Sequence, residues 1–112
     1  CYEALRRGCH VLCEKPLTSD YSQALILEKL GIGPLFDAVI DGTRVSRAKP
    51  DPEVFSVAVG ALGLKPAECI VFEDAQAGIE AAHAAGCYAV GIGTPQRLPQ
   101  ADCHVRDLSE LL

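Results

Sequence analysis

The sequence predicts an α/β fold, a mostly parallel sheet layered with helices. Three observations carry this. Candidate helices closed by glycine alternate with short apolar runs, the order that right-handed β-α-β crossovers produce. The run Ile70 to Phe72 is apolar without alternation, as a strand is when both its faces are covered. Asp41, Lys49, Glu73 and Asp74 all fall at or just after predicted strand ends, where sheets of this kind bind ligands.

Along the chain, Tyr2 to Arg7 reads as the end of a helix stopped by Gly8, and His10 to Cys13 as a short buried strand. Asp20 caps a helix running to about Leu30, with Leu25, Ile26 and Leu30 on its apolar stripe and Gly31 as terminator. Phe36 to Ile40 predicts a strand entering the turn Asp41-Gly42, and Ser46 to Asp51 a polar loop around Lys49. Asp51 caps a helix that starts at Pro52 and ends at Gly63, with Val54, Phe55, Ala58 and Leu62 inward. After the strand at Ile70 comes a small-residue helix, Ala75 to Ala85, ended by Gly86. Tyr88 to Ile92 is the next strand, Gly93 to Asp102 a loop, His104 to Arg106 a last short strand, and Asp107 the cap of a closing helical turn.

With 112 residues, 49% of them apolar and 22% charged, the chain is one domain at most and far from disordered composition. A net charge of -5 and the lack of a dense Lys/Arg run give no reason to expect a nucleic-acid partner. No apolar stretch reaches the roughly 20 residues of a membrane span, and no export signal follows the start. Six cysteines without C-x-x-C pairing read as buried thiols in a reducing compartment, hence a cytoplasmic protein. Cys9, His10 and Cys13 lack a second ligand pair at zinc spacing and belong to the strand reading. Cys1 stands where Met would open a gene product, which points to a fragment or trimmed chain.

Glu73 and Asp74 end an apolar run where the chain turns, so both carboxylates can aim at one point. Crowded carboxylates repel, and a hard cation such as Mg²⁺ removes that penalty; solvated loop acids or a helix cap at Asp74 are the alternatives. Lys49 lies between Ala48 and Pro50 with Pro52 beyond, in a stiffened loop where an ammonium could hold a phosphoryl oxygen; a solvated surface lysine is the alternative. Gly78 stands in the first turn of an alanine-rich helix, at a cost of about 1 kcal/mol relative to Ala. Close approach to a ligand or strand, or crowding against another helix, would explain it. His83, on the same helix, reads as a packing histidine.

From Leu27 onward the chain resembles the haloacid-dehalogenase superfamily, in particular its beta-phosphoglucomutase-like phosphatases and mutases. L-E-K-L-G-I (27–32), F-D-A-V-I-D-G (36–42), A-K-P-D-P-E-V-F (48–55) and V-F-E-D-A-Q-A-G-I-E-A-A-H-A-A-G (71–86) carry the resemblance. It implies a three-layer, Rossmann-like core with a mostly parallel sheet and Mg²⁺-dependent phosphoryl transfer on a small phosphorylated metabolite, a sugar phosphate first among candidates. It also implies that Lys49 contacts the transferred phosphoryl group and that Glu73 and Asp74 bind Mg²⁺. Thr18, with Ser19 beside it, falls where the family's second motif hydrogen-bonds phosphate. The D-x-D strand that supplies the family's nucleophile has no counterpart here, nor has the substrate-selecting cap. A catalytically silent, truncated domain is therefore the alternative function.

Residues 4–20 resemble instead the E-K-P segment of oxidoreductases related to glucose-fructose oxidoreductase and inositol dehydrogenase, with Lys15 as the lysine near the nicotinamide. The resemblance implies a seam at about residues 18–27, dividing a short segment, 1–26, from a partial core, 27–112, and leaves a nicotinamide-dependent remnant as a third function. The family's first strand lies at the centre of its sheet. Its loss predicts that the strand at Ile70 either pairs directly with His10 to Cys13 or exposes an edge, and self-association through that unfilled centre is the expected outcome.

Overall fold

The computed structural model describes residues 10–13, 37–40 and 42–111. The helices expected over 2–7 and 20–30, the seam at 18–27, and Lys15, Thr18, Ser19 and Asp41 lie outside the described residues. The elements are β1 (His10–Cys13), α1 (Glu53–Leu62), a 3₁₀ turn (Pro66–Glu68), β2 (Cys69–Glu73), α2 (Gln76–Ala84), β3 (Tyr88–Ile92), β4 (Cys103–Val105) and a closing 3₁₀ turn (Leu108–Leu111).

Helix limits follow from local chemistry. Asp51 Oδ1 accepts the Glu53 N–H at 3.0 Å, so the aspartate caps α1 across Pro52. Gly63 closes the helix in the left-handed conformation, φ 66°, which costs glycine nothing sterically. At the far end of the chain, Asp107 Oδ1 accepts the Ser109 N–H at 2.8 Å, which starts the last turn.

The four strands form one sheet in the order β1-β2-β3-β4, every neighbouring pair parallel. Alternation along the strands divides the interior in two. Cys69, Val71 and Ala89 pack with Phe55 and Val59 of α1, Ile79 and Ala82 of α2, and Leu98. Phe72, Val90 and Val105 form a smaller cluster with Ile70, Ile92 and Leu108. β2 is thus apolar on both faces, which is why its sequence shows no polar alternation.

Two expectations are corrected. Residues 37–40 form no strand: a strand needs a ladder partner, and this segment has none among the described strands, with Val39 63% exposed and Ile40 resting against the core. The sheet centre is not unfilled either. β1 pairs directly with β2, from His10 opposite Cys69 to Cys13 opposite Phe72. Backbone groups that a missing strand would abandon, at about 1 to 3 kcal/mol each, find partners in β1. Self-association through an open centre loses its driving force, because β2 is flanked on both sides.

Candidate phosphate and cation site

The site grows from the carboxyl end of β2. Cys69, Val71 and Glu73 share one face by the strand's two-residue period, so the last of them points beneath the first turn of α2. Glu73 is 1% exposed, the one buried charged residue among those described. Its Oε1 accepts the N–H groups of Asp74 and Ala75, each at 3.1 Å, which folds the chain back on the carboxylate as α2 begins. Its Oε2 receives the Lys49 ammonium at 2.5 Å.

Gly78 exists for this carboxylate. A Cβ at position 78 would overlap the Glu73 carboxyl group and its Cγ, so only glycine lets the helix close over the buried acid. Of the explanations open for Gly78, close approach to a neighbouring strand is the one the structure shows, and the part of the strand concerned is a charged side chain.

Lys49 comes from the loop before α1. Its Nζ also lies 5.4 Å from the centre of the Phe55 ring, within cation–π range. The peptide joining it to Pro50 is cis. The rigidity of this loop has a second source that the sequence reading missed, Glu53. Its carboxylate accepts the Ser46 N–H at 2.9 Å, the Arg47 N–H at 2.6 Å and the Ser46 hydroxyl at 3.0 Å. Desolvation pushes the Glu53 carboxyl up, but these donors outweigh it and hold the group below the usual carboxylate range. The available signal was an acid in the first helical turn just after a Ser-containing loop.

Lys49 and Glu73 are therefore brought together, with Asp74 next along the chain. Among the described residues no group of three His, Cys, Asp or Glu side chains could hold a metal ion. The pair Glu73-Asp74 offers hard carboxylate oxygens, the donor type that suits Mg²⁺. Cys69 and Cys87 are unsuited to nucleophilic work, since burial pushes both thiols up and away from the thiolate form.

At the opposite end of α2, His83 does more than pack. Its Nε2 lies 2.8 Å from Asp102 Oδ2, which also accepts the Ala89 N–H at 2.8 Å. The Ala89 N–H first and the His83 ring second hold the Asp102 carboxyl below the usual range. A lowered carboxylate contributes stability above its unfolded pKa and loses it as pH falls through the folded value. Asp102→Asn should cost about 1 kcal/mol or less at neutral pH, the group being partly screened by solvent, and the gap from the parent should narrow in acid. Urea unfolding at two pH values checks this; a gap that widens in acid would refute the clasp.

Comparison with known proteins places the chain in a family. The family model for haloacid dehalogenase-like hydrolases matches residues 3–86. The chain is 44% identical over 86 residues to the beta-phosphoglucomutase of Bacillus subtilis, covering 77% of this chain and 38% of that protein. It is 45% identical over 95 residues to the validoxylamine A 7'-phosphate phosphatase of Streptomyces hygroscopicus subsp. limoneus, covering 82% and 44% respectively. In structure it superposes on the beta-phosphoglucomutase of Clostridium difficile with a TM-score of 0.78 at 28% identity, over 99% of this chain and 48% of the other. The chain belongs to the haloacid dehalogenase-like superfamily, on its beta-phosphoglucomutase-like phosphatase and mutase branch. It spans less than half the length of these relatives. The family match begins at residue 3 and runs through residues 4–20, and nothing supports an oxidoreductase link through Lys15.

Proposed function

We propose that this chain carries the phosphate- and cation-facing half of a Mg²⁺-dependent phosphoryl-transfer site for small phosphorylated metabolites, sugar phosphates first among them. The observation that supports it most is the Lys49 ammonium set 2.5 Å from Glu73 at the end of β2, with Asp74 at the threshold of α2. Lys49 is a point charge on a stiff loop, fit to hold a phosphoryl oxygen. Glu73 orients that ammonium and is itself fixed by two backbone donors. Asp74 would hold Mg²⁺ directly, and Glu73, whose oxygens are engaged by Lys49 and two backbone donors, would reach the ion only by exchanging the Lys49 contact. The ion's part is to offset the negative charge gathered between carboxylates and phosphate. Thr18 and Ser19 would add hydroxyl donors to the phosphate.

Two carboxylates leave most of an octahedral shell to water and phosphate, so cation and anion should bind together. In the full chain, Mg²⁺ alone should bind more weakly than micromolar, and inorganic phosphate should bind measurably only when Mg²⁺ is present. Lys49→Ala and Asp74→Asn should each abolish the joint binding. Calorimetry that finds phosphate bound equally well with EDTA, or in both variants, would sink the proposal.

A second reading is a domain that binds without turnover. The two part on one measurement: release of phosphate from sugar phosphates under conditions where joint binding is saturated. Compartment is part of the same proposal. No helix among the described residues is long and apolar enough to cross a membrane, and we place the protein in the cytoplasm because its described cysteines, Cys69, Cys87 and Cys103, are free thiols.

A further inference from the structure

We propose that the cleft beside Lys49 is a second subsite, in which Arg47 receives an anionic group at the far end of the bound metabolite. The inference rests on the phosphoryl reading of Lys49 given above and extends it to the class of molecule accepted.

The cleft is lined by Val45, Arg47, Ala48, Lys49 and Val54 and has a volume of about 170 Å³. Sites that enclose a whole small molecule run to roughly 300–1,000 Å³. This one has room for one end of a ligand. Lys49 forms part of its wall while its ammonium pairs with Glu73, so this one side chain joins the cleft to the phosphoryl site.

The lining decides what that end is. Val45, Ala48 and Val54 offer no side-chain partner to the hydroxyls of a sugar ring. Beyond Lys49, the polar side chain on the wall is that of Arg47, whose guanidinium carries a fork of donors that matches a carboxylate or a phosphate. Arg47 can be recruited at small cost. Its side chain is 73% exposed and reaches Asp51 at 3.3 Å, an exposed pair that solvent screening leaves weak.

Two carboxylates lie nearby, and neither forbids an anion. Asp51 is the partner Arg47 would exchange, and Glu53 is occupied by the Ser46 and Arg47 donors. The bond from the Arg47 N–H to Glu53, 2.6 Å, also fixes the point from which the guanidinium swings. Part of the ordering that binding would demand is thus met in advance.

The test compares ligands that differ only at the far end, titrated into the full chain with Mg²⁺ and followed by amide and Lys side-chain NMR. 3-Phosphoglycerate should bind about fivefold to tenfold more tightly than glycerol 3-phosphate. Fructose 1,6-bisphosphate against fructose 6-phosphate tells whether a phosphate serves as well as a carboxylate. Arg47→Gln should erase the preference, while Arg44→Gln, which removes an exposed charge outside the cleft, should leave both the preference and glycerol 3-phosphate binding unchanged. Equal binding of both members in each pair, a preference that survives Arg47→Gln, or one that falls equally in Arg44→Gln would overturn the subsite while leaving the phosphoryl site standing. If no ligand perturbs Lys49 at all, the phosphoryl reading falls and the subsite with it.

Discussion

Glu73→Ala is expected to cost about 3 to 5 kcal/mol of folding stability, the usual penalty for removing one partner of a buried ion pair. Against a typical total of about 5 to 15 kcal/mol, the variant should be largely unfolded at moderate urea. Three losses add up. The Lys49 ammonium, 19% exposed, loses the carboxylate it is set against. The N–H groups of Asp74 and Ala75 lose their acceptor at the start of α2. A void opens beneath the first turn of that helix. The double variant Lys49→Met, Glu73→Leu should recover much of the stability, because a buried charge pair replaced by apolar groups of similar size is often neutral. Urea titration of the three proteins decides it: a single-variant loss below 1 kcal/mol would mean that the pair is solvated.

Gly78→Ala should also destabilise, by about 2 to 3 kcal/mol through overpacking, against the ordinary gain of up to about 1 kcal/mol for this exchange in a helix. The added Cβ meets the Glu73 carboxyl, and that group cannot step aside, being tied to Lys49 on one oxygen and to two backbone donors on the other. The sign should depend on Glu73. In the Glu73→Ala background the obstacle is gone, and Gly78→Ala should become neutral or stabilising. Strong coupling of this kind is what contacting residues show in a double-mutant cycle. If Gly78→Ala destabilises equally in both backgrounds, the helix is crowded by something other than Glu73.

These two residues also mark how far the sequence could be read. Local signals were sufficient for the elements: Gly63 and Gly86 closed helices where expected, each with a positive φ, and the apolar runs at Ile70 and Tyr88 became neighbouring parallel strands. The apolar run at 36–40 misled, since hydrophobicity shows that a segment could be a strand and not that a ladder partner waits for it. Non-local polar contacts were the harder part. Nothing near His83 announces Asp102, 19 positions away, and the part of Glu53 as clamp of the preceding loop went unread.

Glu73 was half legible. Its place at the strand end was plain. The sequence alone did not show that burial there would commit the acid to Lys49, because that lysine arrives from a loop whose path depends on Glu53.

The direct pairing of β1 with β2 bears on the order of assembly. Lys49, Glu53, Glu73, Gly78, His83 and Asp102 all lie within the continuous run from the loop to β4, and β2, α2 and β3 follow one another with short connections. β1 reaches β2 only across the long stretch that separates Cys13 from Cys69. Closing a long loop carries an entropic cost that must be met before any contact repays it. The second half of the chain can therefore gather its charged residues early, with β1 docking afterwards on a strand already held by β3. On that route the first strand acts as a seal along the sheet rather than as its nucleus.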